Sequence, residues 1–317
     1  MRTDIVTITL NPTVDFATSA PSVYPEHKLR CTEPHIDPGG GGINVARAVR
    51  NLGGQATALI AIGGGAGAQL LQLLALEGVP TVAFQGPGES RLSFSVTDQE
   101  ENVQYRFVMP GPIWTEADVQ RGLNSIDQSA GEGTMVVLSG SQPPGVAKEF
   151  PSILSQHVAG RGARLIVDTS GPALFNLVQQ RNDAVHVLRM DDAEAEELAG
   201  RALTKRADTA AFAKDLIDRG VAANVIVARG ADGSVLCTAE GAWHAAPGSP
   251  VEVVSKVGAG DSFVGAFTLA LAREETLPEC LKFGVAAAAA ACMTLGTRLC
   301  EMPTVERILE GCLLEEI

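Results

Sequence analysis

Short apolar runs alternate with helical stretches along the chain. Residues 5–10 form a β-type run, and similar runs recur at 56–62, 81–84, 135–138, 164–167, 185–188 and 224–228. Between the first of them, residues 43–52 and 68–76 carry apolar side chains at helical spacing. This β-α-β-α order predicts a mostly parallel sheet with helices on both faces. Two segments break the rhythm. Residues 16–37 read as extended, with Pro21, Pro25 and Pro34 spaced along them. Residues 90–108 alternate, with Leu92, Phe94 and Val96, then Val103, Tyr105 and Phe107, around a polar turn at 98–102. Neither holds a crossover helix. Both are expected to leave the main sheet and build a small second sheet that covers a site; two surface hairpins are the alternative.

At 317 residues the chain suits one large α/β domain with a small appendage. A composition of 45% apolar and 19% charged residues is that of a globular protein. The net charge of −13 argues against nucleic acid or an anionic membrane as a main partner, since both require a basic face. A few local cations suffice for a small anionic substrate. The cysteines at 31, 237, 280, 292, 300 and 312 form no Cys-x-x-Cys pair, and the five histidines are scattered, so a zinc site is not expected. Residues 1–10 carry Arg2 and Asp4 and no signal-like apolar core, and no apolar run is long enough for a membrane span. A cytoplasmic protein with reduced thiols is the expectation.

Three glycine-rich segments are candidates for chemistry. In the first, Gly39, Gly40, Gly41 and Gly42 precede Ile43 and Asn44 at the start of an amphipathic helix. Such a backbone allows close approach of a ligand, and the helix start offers free N–H groups. In the second, Gly258, Ala259, Gly260 and Asp261 follow a strand-like stretch at 251–254 and open an apolar helix running to Ala272. The free N–H groups there can form an anion hole, although Asp261 alone reads equally well as an N-cap. The third, Gly63 to Gly67, invites a dinucleotide-binding reading. The following strand, however, ends in Gln85 where a ribose-binding acid is expected, and no Gly-Lys pair exists for a P-loop.

The first two segments, about 215 residues apart, resemble the two signatures of the ribokinase-like (PfkB) carbohydrate kinase family, and the resemblance covers essentially the whole chain. It implies one kinase domain over 1–317, with a ribokinase-like Rossmann-type core. The lid would be formed by about 16–37 and 88–111. It also implies a homodimer that clasps through the lids. Further stretches at 24–31, 104–111, 139–145 and 296–300 resemble members that act on an already phosphorylated sugar. The implied reaction is ATP- and Mg²⁺-dependent conversion of fructose 6-phosphate to fructose 1,6-bisphosphate. Tagatose 6-phosphate and fructose 1-phosphate are alternative substrates, and a sugar-phosphate sensor without catalysis is the alternative of another class.

The same resemblance implies site roles. Asp15, read at the end of the first strand, would accept hydrogen bonds from sugar hydroxyls; the Gly39–Asn44 loop and Ser139 would bind the sugar. Arg91 and Lys28 would hold the sugar's own phosphate, with Lys28 reaching across from the partner lid and lying near ATP as well. Asp261 would be the general base, ionised at neutral pH by its helix start, and the amides of Gly258, Ala259 and Gly260 the anion hole. Gly230 and Gly233 would form a turn against the nucleotide. Ser255, Val257, Ala291, Thr294, Gly296 and Arg298 match positions of a monovalent-cation site, for K⁺. The family's Lys-Pro-Asn-x-x-Glu segment is replaced by Arg189-Met190-Asp191-Asp192-Ala193-Glu194. Glu194 remains to serve Mg²⁺ through water, Asp191 stands where an amide faces phosphate, and Ala228 stands where a hydroxyl is common near the nucleotide. Residues 286–291 read as a close-packed helix face, and Cys292 and Cys300 as small apolar residues.

Overall fold

The structure is a computed structural model that describes residues 4–181, 185–296 and 298–317; Arg2 and Thr297 therefore lie outside the described residues. In chain order it begins with β1 (Ile5–Thr9), β2 (Thr13–Ala20), β3 (His35–Gly39), α1 (Gly41–Asn51), β4 (Thr57–Ile62), α2 (Gly64–Leu76) and β5 (Thr81–Gln85). Next come β6 (Arg91–Asp98), β7 (Val103–Val108), α3 (Glu116–Ser129), β8 (Met135–Ser139), α4 (Phe150–Ala159), β9 (Arg164–Asp168) and α5 (Gly171–Val178). The chain continues with β10 (Val185–Met190), α6 (Asp192–Ala199), α7 (Arg206–Asp218), β11 (Asn224–Ala228), β12 (Ser234–Cys237) and β13 (Ala242–Ala246). It closes with α8 (Ala259–Ala272), α9 (Leu277–Cys292), α10 (Met302–Gly311) and β14 (Leu313–Glu316).

Ten described strands form one sheet in the order β14-β13-β12-β11-β10-β9-β8-β1-β4-β5. From β5 to β11 every neighbouring pair is parallel, and β12, β13 and β14 extend it antiparallel. The central strands β1 and β8 are buried throughout, as strands covered on both faces must be. Met135 and Val137 face one core and Val136 and Leu138 the other. Helices α1, α2, α8, α9 and α10 supply the first core, and α3 to α7 the second. Most of the alanine stretch at 286–291 is fully buried in the first, where small side chains let α8 and α9 approach closely. Among the described residues no helix is long and apolar enough to cross a membrane.

A second sheet has the order β3-β2-β6-β7. Its strands β2 and β6 run parallel, flanked by antiparallel β3 and β7. Two details differ from the sequence reading. Pro12 cannot donate to a ladder, so β1 stops at Thr9 and Asp15 lies within β2, not at the end of the first strand. Residues 251–254 form no strand: the Val254 and Ser255 amides donate to the Cys292 carbonyl at the end of α9, at 2.8 and 3.1 Å, so α9 and not the sheet holds this segment.

Candidate active site

A cleft of about 290 Å³ opens between the second sheet and the core. Gly40, Asn44, Gly258 and Asp261 line it from the starts of α1 and α8, while Asp15, Arg91 and Arg106 line it from the second sheet. Asp261 is in the first turn of α8. Its Oδ2 accepts from Asn44 Nδ2 at 3.0 Å, and its Oδ1 from Ser139 Oγ at 3.4 Å. Ser139 Oγ also lies 3.3 Å from Asp168 Oδ2, and Asp168 Oδ1 accepts from Arg189 Nη1 at 3.1 Å. Asn44, Ser139, Asp168 and Arg189 thus form one polar chain around Asp261.

Burial lifts the Asp261 carboxyl to about 6; the Asp168 charge adds to the rise, and Asn44, Arg189 and Ser139 oppose it. The helix start was expected to keep this acid ionised. Its dipole is outweighed by the loss of water. The carboxylate still predominates at neutral pH, by a narrower margin than an exposed helix start would give.

Close packing explains two of the glycines. A Cβ on Gly39 would stand 2.1 Å from Asp15 Oδ2, so only glycine lets β3 run beside that carboxylate. Gly258 caps α8 with φ of 77°, and a Cβ there would also strike Leu299. Gly260 lies against the Arg189 guanidinium: its Cβ position is 3.1 Å from Nη1. The N-terminus of α8 therefore presents backbone N–H groups and a nearby guanidinium to the same space.

On the second sheet, Arg91 is held by its Nε donating to the Asn11 carbonyl at 3.1 Å. Asp15 is pushed above the ordinary carboxylate range by burial, with Asp37 adding to the rise and Thr13, Arg91 and Arg106 opposing it. Arg106 was not singled out from sequence. Alternation was the available signal: with Val103, Tyr105 and Phe107 on one face of β7, Arg106 must point to the other. Asp168 was also missed, since a lone Asp ending a strand has no distinctive pattern. Lys28 is exposed and does not line the cleft of its own chain.

The residues expected at the nucleotide lie along the ends of β10 and β11. Asp191 caps α6: its Oδ1 accepts from the Glu194 amide at 2.8 Å, and Glu194 Oε2 accepts from the Asp191 amide at 2.9 Å. Glu194 is raised above its usual range by burial, with the Asp191 and Asp168 charges adding to it. Ala228 ends β11, and Gly230 and Gly233 bound the next turn, with φ of 56° and 80°. Asp192 Oδ2 lies 3.8 Å from the Cβ position of Gly230, which brings the two segments together. Of the residues expected at the monovalent ion, Ser255, Ala291 and Thr294 lie around the end of α9. Ser255 is tied to Cys292, and Thr294 Oγ1 bonds the carbonyls of Ala291 and Leu299 at 2.9 and 3.2 Å.

A cleft beside a small second sheet that sets a carboxylate at a glycine-rich helix start opposite two arginines has the parts of a small-molecule kinase. The chain belongs to the pfkB family of carbohydrate kinases, whose pattern it matches over residues 2–305. It is 41% identical over 304 residues to the ATP-dependent 6-phosphofructokinase isozyme 2 of Escherichia coli, covering 96% of this chain and 97% of that one. The crystal structure of Escherichia coli phosphofructokinase-2 with substrates and products superposes with a TM-score of 0.89, at 40% identity over 97% of this chain and 98% of the other. The potassium complex of the same enzyme gives a TM-score of 0.90, again over 97% and 98% of the two chains at 40% identity. The 1-phosphofructokinase of Bacillus subtilis is more distant, at 29% identity over 92% of this chain and 94% of its own.

Proposed function

We propose that this chain transfers the terminal phosphoryl group of ATP to a hydroxyl of fructose 6-phosphate, giving fructose 1,6-bisphosphate. The observation that carries the reading is the Asp261 carboxylate, aligned by Asn44 at the glycine-rich start of α8 and facing Arg91 and Arg106 across the cleft. The much higher identity to the 6-phosphofructokinase than to the 1-phosphofructokinase favours fructose 6-phosphate as the acceptor.

Asp15 and the Gly39–Asn44 loop orient the sugar hydroxyls. Arg91 and Arg106 hold its phosphate through charge-assisted contacts. Asp261 takes the proton of the attacking hydroxyl, and the amides at the start of α8, with Arg189 beside them, stabilise the charge on the transferring group. Burial of Asp261 makes its carboxylate a better proton acceptor than an exposed one. Glu194, half-buried on the nucleotide side, would reach Mg²⁺ through water, the ion being held mainly by the nucleotide phosphates; among the described residues no three ligating side chains gather to hold it. Bound Mg²⁺ supplies neutralisation of phosphate charge. Ser255, Val257, Ala291, Thr294, Gly296 and Arg298 hold K⁺.

The β2, β3, β6 and β7 sheet acts as the lid. Its outer strand leaves Val103, Tyr105 and Phe107 exposed at 46%, 41% and 51%, on an unpaired edge. A second copy of the chain covers this face, and Lys28 then serves the partner's cleft. The six free cysteines suit a reduced cytoplasm.

Coupled detection of ADP with fructose 6-phosphate, fructose 1-phosphate and tagatose 6-phosphate tests the reading. The highest kcat/KM is expected with fructose 6-phosphate. Binding of sugar phosphate without any ADP release would overturn it in favour of a sensor.

A further inference from the structure

Behind Asn44 lies a buried cation that the reaction scheme above does not use. Arg47 sits one turn further along α1 and is 5% exposed. Its Nε and Nη2 donate to the two carboxylate oxygens of Glu77 at 2.7 and 2.8 Å, a two-pronged fork. Its Nη1 donates to Asn44 Oδ1 at 3.3 Å and to the Pro38 carbonyl at 3.4 Å, and its Nη2 lies 3.6 Å from Asp37 Oδ1. His35 also meets Asp37, at 3.1 Å, and Arg50 meets Glu77, at 3.5 Å. On the other side of the amide, Asn44 Nδ2 donates to Asp261.

An amide offers an acceptor at one end and donors at the other, whereas a guanidinium only donates. The end of Asn44 that faces Arg47 must therefore be the oxygen, which turns the NH₂ toward Asp261. A flipped amide would set oxygen against carboxylate and NH₂ against guanidinium, replacing two attractive contacts by two repulsive ones.

We propose that Arg47 is a positioning residue for phosphoryl transfer: forked onto Glu77, it fixes the Asn44 amide so that its N–H donates to Asp261. Through Pro38 and Asp37 the same side chain ties that alignment to the end of lid strand β3, directly before the glycine loop. The inference rests on the reading of Asp261 as the base.

The groups facing Asp261 are Asn44 from α1, Ser139 from β8, Asp168 from β9 and Arg189 from β10. A hydrogen bond donated to the ionised form lowers its pKa, so loosening Asn44 raises it. The readout is the pH dependence of the first-turnover rate with both substrates saturating. In Arg47→Lys, which keeps the charge and loses the fork, the acid limb is expected to move up by about one pH unit. The KM for ATP should change little. Asn44→Ala should move the limb in the same direction, and adding Arg47→Lys to it should move it no further. A purely structural Arg47 would lower Tm and leave the limb in place, and that result overturns the proposal, as does an additive shift in the double variant. If Arg47→Lys does not fold, Glu77→Gln carries the test: a smaller upward shift supports the proposal and none overturns it. An Asp261→Asn protein with near wild-type rate would strike down the base itself. An inactive Asp261→Asn with an unmoved limb in Arg47→Lys would strike down the positioning alone.

Discussion

Of the three helices that begin in glycine-rich turns, α2 and α8 meet opposite fates. At the start of α2, Glu89 Oε1 accepts from the Ala66 amide at 2.9 Å, and the Glu89 carboxylate covers Gly64 so closely that a Cβ there would be 1.6 Å from it. Ser90 Oγ takes the Gly63 amide at 3.0 Å. The chain's own carboxylate thus fills the place that a ligand phosphate would need. At the start of α8, Asp261 turns to Asn44 and Ser139, and the turn opens into the cleft. Both helix starts leave N–H groups without intrahelical partners, and the glycines let another group approach them. Whether they become a ligand site depends on what the rest of the fold places over them, and that is long-range information.

The comparison can be broken most readily by exchanging charge for shape at each start. Asp261→Asn is expected to lower kcat by about 10²–10⁴-fold, the range for losing a general base, while Glu89→Gln leaves kcat unchanged. An Asp261→Asn enzyme with more than about a tenth of wild-type kcat would reduce Asp261 to a structural link between α8, Asn44 and Ser139; it is not the N-cap read from sequence, since Gly258 caps α8. Next in size are the cations of the second sheet. Arg91→Ala and Arg106→Ala should each raise the KM for sugar phosphate by about 10- to 100-fold, with little change for ATP, as expected for loss of a charged contact worth about 1.5–3 kcal/mol. An unchanged sugar-phosphate KM in both removes the assignment.

A smaller effect appears in stability. The folded Asp261 value of about 6 lies above the ordinary 3.8, so ionising it disfavours the folded state. Wild type should therefore lose stability relative to Asp261→Asn as pH rises from about 4 to about 6, by roughly 1–2 kcal/mol after allowance for its open edge. Thermal melts of the two proteins across that range would show it, and parallel curves would count against a buried acid. The smallest effect belongs to Glu89→Gln, about 0.5 kcal/mol of stability from a weakened helix-start contact, measurable by urea titration.

Much of this was legible because it is local. The parallel strands, the two glycine loops and the second sheet each follow from periodicity and turn residues within a short window. The α2 start could be set aside from sequence, but for the lack of a ribose-binding acid; its occupation by Glu89 depends on a loop 20-odd residues away. Strands β12 to β14 are only four or five residues each; β12 and β13 pair with the strand just before them, but β14, at residues 313–316, draws its pairing from β13 at 242–246. Residues 251–254 have strand-like composition, yet the Val254 amide, with that of Ser255, is claimed by the end of α9. The polar chain from Arg189 through Asp168 and Ser139 to Asp261 joins the ends of three strands to a helix, which no window of sequence contains.

The most direct test of what separates the two glycine-rich starts is the pH dependence of the first turnover in wild type, followed by rapid quench with both substrates saturating. An acid limb with an apparent pKa of about 6 is expected, the value burial gives Asp261. A rate that stays constant down to about pH 4.5, close to the range of an ordinary carboxylate, would contradict it.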